Sequence, residues 1–286
     1  MDEGVERNTR AIEDSVVTDF TDRMTYSGYL ELSTLLSAQH PLSSPEHHDE
    51  LLFIVQHQTT ELWLKLILHE LGSACAHLRA DELPQALKGI ARVKHIQKQI
   101  TDQWSVLATL TPAEYAQFRG VLGNASGFQS AQYRAVEFTL GNKHAGMLRV
   151  FESDPSNHTL VKAALEAPSL YDEFLRLLAR RGFEVPASVL DRDVTKAWEF
   201  VPELVPMFAE IYADPDAHWG EYETCEELVD LEDNFQLWRF RHLKTVERII
   251  GYKRGTGGSS GVSFLRRALD LTFFPELYAV RTEIGA

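Results

Sequence analysis

Eleven histidines are the side chains in this sequence best suited to ligate a metal or move a proton near neutral pH. Their surroundings exclude most of the familiar schemes. No histidine has a glutamate three residues before it, so the Glu-x-x-His pairs of a di-iron helical bundle are absent. His69-Glu70 begins like a zinc-protease helix, but Ser73 stands where the second histidine would have to be. His47-His48-Asp49-Glu50 lies beside a helix start, and adjacent helical residues diverge by about 100°, so a solvated helix terminus is the expectation. Cys75 and Cys225 are far apart and without neighbouring thiols, which points to two buried free cysteines rather than a zinc knuckle or a disulfide framework. The run Lys253-Arg254-Gly255-Thr256-Gly257-Gly258 lacks the Gly-Lys-Ser/Thr ending of a phosphate loop and follows a helix rather than a strand.

Two histidines survive this pass. His57 sits among Phe53, Ile54 and Leu64, and His242 lies in an apolar stripe with Phe235, Trp238 and Val246. Taken by periodicity alone, each is more simply a satisfied core histidine. Two inward-facing imidazoles on separate helices, with Trp104 also on a core stripe, could equally bracket a flat apolar cofactor such as haem, whose iron is often held by one histidine. Arg119 follows Tyr115 by four residues on one helical face, where a guanidinium either grips a carboxylate or simply meets solvent.

The elements that must carry these residues read as helices. Apolar positions recur at spacings of three and four, and no Asn-Gly or Asp-Gly turn separates two strand-like runs, so the fold class is all-α. Ser44-Pro45-Glu46 opens a long core helix containing Leu52, Leu62, Leu66 and Leu71. A second runs from Leu83 through Ile90, Val93, Ile96, Ile100 and Trp104 to Leu107, and packs antiparallel to the first. Thr111-Pro112-Ala113-Glu114 forms a capping box with proline in the first turn. The middle, broken by Pro155, Pro168, Pro186 and Pro202, reads as scaffold. A last long helix starts near His218 and stops at Gly251. The stretch from Lys253 to Gly261 is too rich in glycine to hold one shape by local preference, and a short tail with Phe273-Phe274-Pro275 closes the chain.

With 28 Lys+Arg against 42 Asp+Glu, the formal charge of −14 opposes binding to nucleic acid. No window offers the roughly 18 apolar residues of a membrane span, so a soluble cytoplasmic protein without membrane contact is expected. At 286 residues with 44% hydrophobic, one compact helical domain over residues 23–286 is expected, preceded by an acidic arm over residues 1–22.

Long segments of this chain resemble the tryptophan 2,3-dioxygenases: FIVQHQTTELWLKL at Phe53–Leu66, WSVLATLTPAEYAQFRGVLG at Trp104–Gly123, SGFQS at Ser126–Ser130, FQLWRFRHLKTVERIIGYKRGTGG at Phe235–Gly258 and FFPEL at Phe273–Leu277. The resemblance covers about Tyr26 to Arg281. It implies an α-helical homotetramer, a dimer of dimers, that binds haem b, ferrous when active. It also implies addition of both atoms of O₂ across the indole C2–C3 bond of L-tryptophan, giving N-formyl-L-kynurenine, the first step of tryptophan degradation by the kynurenine pathway.

Matched motif by motif, His242 corresponds to the proximal iron ligand, and His57 to the distal histidine that hydrogen-bonds the indole N–H and is the expected catalytic residue. Phe53 would pack on indole and haem. Arg119, assisted by Tyr115, would pair with the substrate carboxylate, and Thr256 would contact its amino-acid end. Trp104, Ser126 and Gly127 fall near the haem, while Tyr26, Tyr29 and Leu30 match a segment donated to a neighbouring subunit's site. The glycine-rich segment would stay open for substrate entry and then close over it. A broader indole dioxygenase and a non-catalytic haem sensor are the rival readings. A gas sensor has no use for groups that converge on an amino-acid zwitterion.

Overall fold

A computed structural model describes residues 9–285. Helices are the regular structure throughout, joined by turns and irregular segments, with no strand among the described residues. The chain separates into a unit up to His40 and a larger one from Pro41 onward.

The first unit contains two single-turn helices, α1 (Tyr26–Tyr29) and α2 (Leu32–Leu35). Thr25 caps α1 by accepting from the Gly28 amide, a local bond that needs no tertiary support. Neither helix buries a residue, and Met24, Tyr26, Tyr29 and Leu36 are largely exposed. The expected arm at residues 1–22 falls partly outside the described residues.

In the second unit α3 (His48–Arg79) and α4 (Leu83–Asp102) form an antiparallel hairpin, and α4 also packs on α12 (Trp219–Ile250). Between them come α5 (Trp104–Leu107), α6 (Pro112–Phe118), α7 (Ala131–Leu140), α8 (Pro155–Glu166), α9 (Leu170–Arg180), α10 (Ala187–Leu190) and α11 (Leu204–Ala213). After α12 follow α13 (Val262–Arg267) and α14 (Pro275–Glu283). At 32 residues each, α3 and α12 are about 48 Å long, which lets them span the unit and present side chains at mid-length. The core holds Leu71, Ile90, Val93, Phe118, Phe174, Leu228 and Phe273, all buried.

Local signals match closely at several points. The Thr111 hydroxyl accepts from the Glu114 amide, and the Glu114 carboxylate accepts from the Thr111 amide. α12 ends at Gly251, whose φ of 60° lies where a side chain is strained. Both cysteines are buried and free, and burial pushes the Cys75 thiol up to about 12, leaving it unreactive.

Three expectations differ. The helix from Leu83 does not run unbroken to Leu107, because Gln103 interrupts it. Leu62 is exposed, and the buried face of α3 runs instead through Leu64, Ile67, Leu71 and Leu78, since α4, α7 and α9 cover the helix at different heights. Glu50 is not solvated. Its carboxylate accepts the Leu42 and Ser43 amides, satisfying two donors that a buried turn would otherwise strand.

Candidate active site

His57 lies in the first third of α3, one turn after Phe53. Its Nδ1 is 2.7 Å from the Phe53 carbonyl oxygen. A carbonyl only accepts, so Nδ1 carries the proton and Nε2 is left with a free lone pair. Burial holds the imidazole below its usual pKa, against the smaller opposing pull of that carbonyl and of Glu61. The ring is therefore neutral at pH 7. Phe53 stacks tilted against it at 4.1 Å and reaches across to Tyr115 at 5.9 Å and Phe118 at 5.7 Å, so α6 is keyed to the same turn of α3.

His242 comes from the last third of α12. Trp104 lies flat on its ring, 4.7 Å away and inclined by 10°, with Trp238 at 5.4 Å. Burial pushes its pKa down to about 4, helped slightly by the field of His57. Stacking rather than hydrogen bonding holds this ring, and it too is neutral. Both imidazoles face one cavity of about 320 Å³, within the range of small-molecule and cofactor sites.

The same cavity is lined by Phe53, Trp104, Tyr115, Ser126, Gly127 and Thr256. Arg119 is not part of its wall. It stands at the rim beside Tyr115, donating from Nη2 to the Arg254 carbonyl at 2.6 Å. Thr256 Oγ1 donates to the Ala125 carbonyl at 2.5 Å, and Gly257 packs so tightly on Ser126 that a Cβ would meet the serine Cβ at 2.7 Å. The loop that local preference leaves undetermined is thus placed by tertiary contacts, and two of them come from the groups matched to the amino-acid end of a substrate. Tyr26, Tyr29 and Leu30 lie in the first unit, on and directly after α1, with their side chains exposed.

Several wall residues escaped the reading of the sequence. Gln56 and Thr60 flank His57 on α3. On α7, Tyr133 and Arg134 both bond to Glu137, which Arg239 also reaches from α12 at 2.9 Å. A tyrosine and an arginine placed four and three residues before a glutamate on one helix were the available signal. Gln56 Nε2, Trp104 Nε1, Arg134 Nε and Trp238 Nε1 are buried donors without partners, all on residues of this wall. That concentration marks the cavity as a place built for an occupant.

The family model described as Tryptophan 2,3-dioxygenase matches residues 12–208 and 204–284. A protein of that name from Kineococcus radiotolerans is 72% identical over 281 residues, covering 98% of each chain. Its namesake from Arthrobacter sp. is 69% identical over 281 residues, 98% of this chain and 99% of the other. The chain belongs to the tryptophan 2,3-dioxygenase family. The likeness extends to Serratia proteamaculans, whose protein of that name is 60% identical over 98% of this chain and 100% of its own. Family membership therefore covers both long helices, the cavity between them and the glycine loop. It bears out the resemblance drawn from the motifs, as the helical structure bears out the all-α class.

Proposed function

We propose that this protein is a haem-dependent dioxygenase that cleaves the indole C2–C3 bond of L-tryptophan with O₂ to give N-formyl-L-kynurenine. The observation that carries the reading is two neutral imidazoles facing one cavity, with a guanidinium and a glycine loop at its rim.

The donor set suits haem. No group of three or more His, Cys, Asp or Glu that could hold a bare metal ion occurs among the described residues. A cofactor that brings its own equatorial nitrogens needs only one axial ligand, and His242 offers an unprotonated imidazole at neutral pH. Trp104, Ser126 and Gly127 line the space around it. When bound, ferrous haem supplies the redox chemistry that lets O₂ react with the indole.

The chain's own contribution is placement. With Nδ1 committed to the Phe53 carbonyl, His57 Nε2 accepts the indole N–H and sets the orientation of the ring. Its lowered basicity, and the weak acidity of an indole N–H, argue for orientation over proton abstraction. Phe53 packs on the indole face. The Arg119 guanidinium and the Tyr115 hydroxyl bind the carboxylate, and Thr256 binds the amino-acid end once its bond to Ala125 is exchanged. The loop then closes over the ligand and excludes water.

The exposed apolar side chains of the first unit, Tyr26, Tyr29 and Leu30 among them, support a role in completing the site of a neighbouring subunit within a homotetramer, a dimer of dimers. No helix among the described residues is long and apolar enough to cross a membrane, and a cytoplasmic location is part of the proposal.

The test is to add L-tryptophan and O₂ to the reduced, haem-loaded protein and follow N-formylkynurenine absorbance. No product at full haem occupancy would overturn the reading in favour of a sensor. His242→Ala should lose haem and activity together, whereas His57→Ala should keep its haem. Full haem content in His242→Ala would remove the ligand assignment.

A further inference from the structure

α4 stops at Asp102, and Gln103 makes the join to α5. The side-chain amide of Gln103 points back to α3. Its Nε2 donates to Thr60 Oγ1 at 2.9 Å, and its Oε1 lies 3.0 Å from the Thr59 hydroxyl, which is also in reach of carbonyls on its own helix. Thr60 passes the link on, donating to the carbonyl of Gln56, the residue before His57, at 2.9 Å. In the other direction, the residue after Gln103 is Trp104, which lies flat on His242.

One amide therefore connects the turn that carries His57 to the ring stacked on His242. Both ends of the planar amide meet hydroxyls of α3, so sliding α3 along α5 pulls both contacts apart together. The apolar contacts at this junction supply cohesion without direction. The same turn of α3 is held from the other side by Gln132 on α7, whose Nε2 donates to the Glu61 carbonyl at 2.7 Å and to its carboxylate at 2.9 Å.

We propose that Gln103 is a positioning residue that sets the separation and relative tilt of His57 and His242 across the cavity. The proposal rests on the haem dioxygenase reading, because a reaction held between the two imidazoles is what depends on that spacing. A misplacement of about 1 Å can cost on the order of 100-fold in rate. Tyr115 on α6, Arg119 just after it and Thr256 in the glycine loop hold the amino-acid end, and Phe53 ties α6 to the same turn of α3, so loss of the clamp should slow turnover more than it weakens capture.

The experiment uses the haem-loaded full chain with Gln103→Leu, Thr60→Val and the double variant. In Gln103→Leu we expect kcat to fall by about 10-fold or more, and by a larger factor than KM rises. Haem content and Tm should stay near the parent's, and the change in visible spectrum that tryptophan induces in the ferric protein should be altered. The double variant should be no slower than Gln103→Leu alone, since both changes cut one link. An unchanged kcat overturns the proposal, as does a loss that appears in KM alone or one that tracks falling Tm and haem content. If the parent itself takes up haem but makes no N-formylkynurenine, the functional reading fails, and the clamp's role in turnover fails with it.

Discussion

Gly261 fixes the far end of the glycine loop beside the candidate site, and replacing it with alanine tests whether that loop's placement matters. Its φ of 64° and ψ of −124° lie in a region that residues other than glycine enter at a cost of about 1–3 kcal/mol. Space is equally restrictive, because an added Cβ would sit 2.5 Å from the Lys253 carbonyl oxygen, part of a backbone with no flexible end to move aside. The conformational cost alone lowers the population of this loop conformation by about 5- to 150-fold, and the steric clash adds to it. The loop contributes Thr256 and the Arg254 carbonyl that meets Arg119, so KM for tryptophan in Gly261→Ala should rise by at least about 5-fold. Lys253 and Arg254 are both exposed and both trypsin sites, which gives a second readout: tryptophan should slow cleavage there in the parent and much less in the variant. Gly72→Ala, in α3 with nothing within 4 Å of the added carbon, serves as the control and should leave KM unchanged. A Gly261→Ala protein with the parent's KM and the parent's protection would refute the reasoning.

Arg119→Leu removes the charged half of the carboxylate grip, a contribution of about 1.5–3 kcal/mol, and should raise KM by roughly 10- to 100-fold. An unchanged KM would show that another cation binds the substrate. Because burial lowers the pKa of His57 and its Nε2 must be unprotonated to accept the indole N–H, kcat/KM should fall as pH drops through a value below 6.5. An acid limb at or above 6.5 that disappears in His57→Ala would contradict the assigned environment. Away from the site, the buried carboxylate of Glu276 accepts from the Val201 amide, Trp198 Nε1 and the Tyr171 hydroxyl. Glu276→Leu strands all three donors, at about 1–3 kcal/mol each, and should lower Tm by on the order of 10 °C. A melting temperature within about 2 °C of the parent's would mean that the surrounding groups find other partners.

Much of the fold was legible in the sequence because its determinants are local. The Thr111 capping box, the stop at Gly251 and the period of α12 all depend on residues within a turn or two. What failed locally failed for tertiary reasons. Nothing near Gln103 announces a helix break, since its amide is satisfied by α3 more than forty residues earlier. Leu62 and Leu64 look equally apolar, and only the positions of α4, α7 and α9 decide which of them is covered.

The histidines show the same division most sharply. The sequence by itself determined that His57 and His242 lie on apolar stretches of long helices, and its motifs identified the family. Whether either ring would end as a packed core residue or at the edge of a cavity was settled by tertiary structure, because it turns on how three helices are rotated about their own axes. That rotation, set by contacts such as Trp104 on His242 and Phe53 against Tyr115, gives the His57 Nε2 its open side and leaves His242 neutral. Periodicity specifies which residues share a face, and only packing specifies what that face meets.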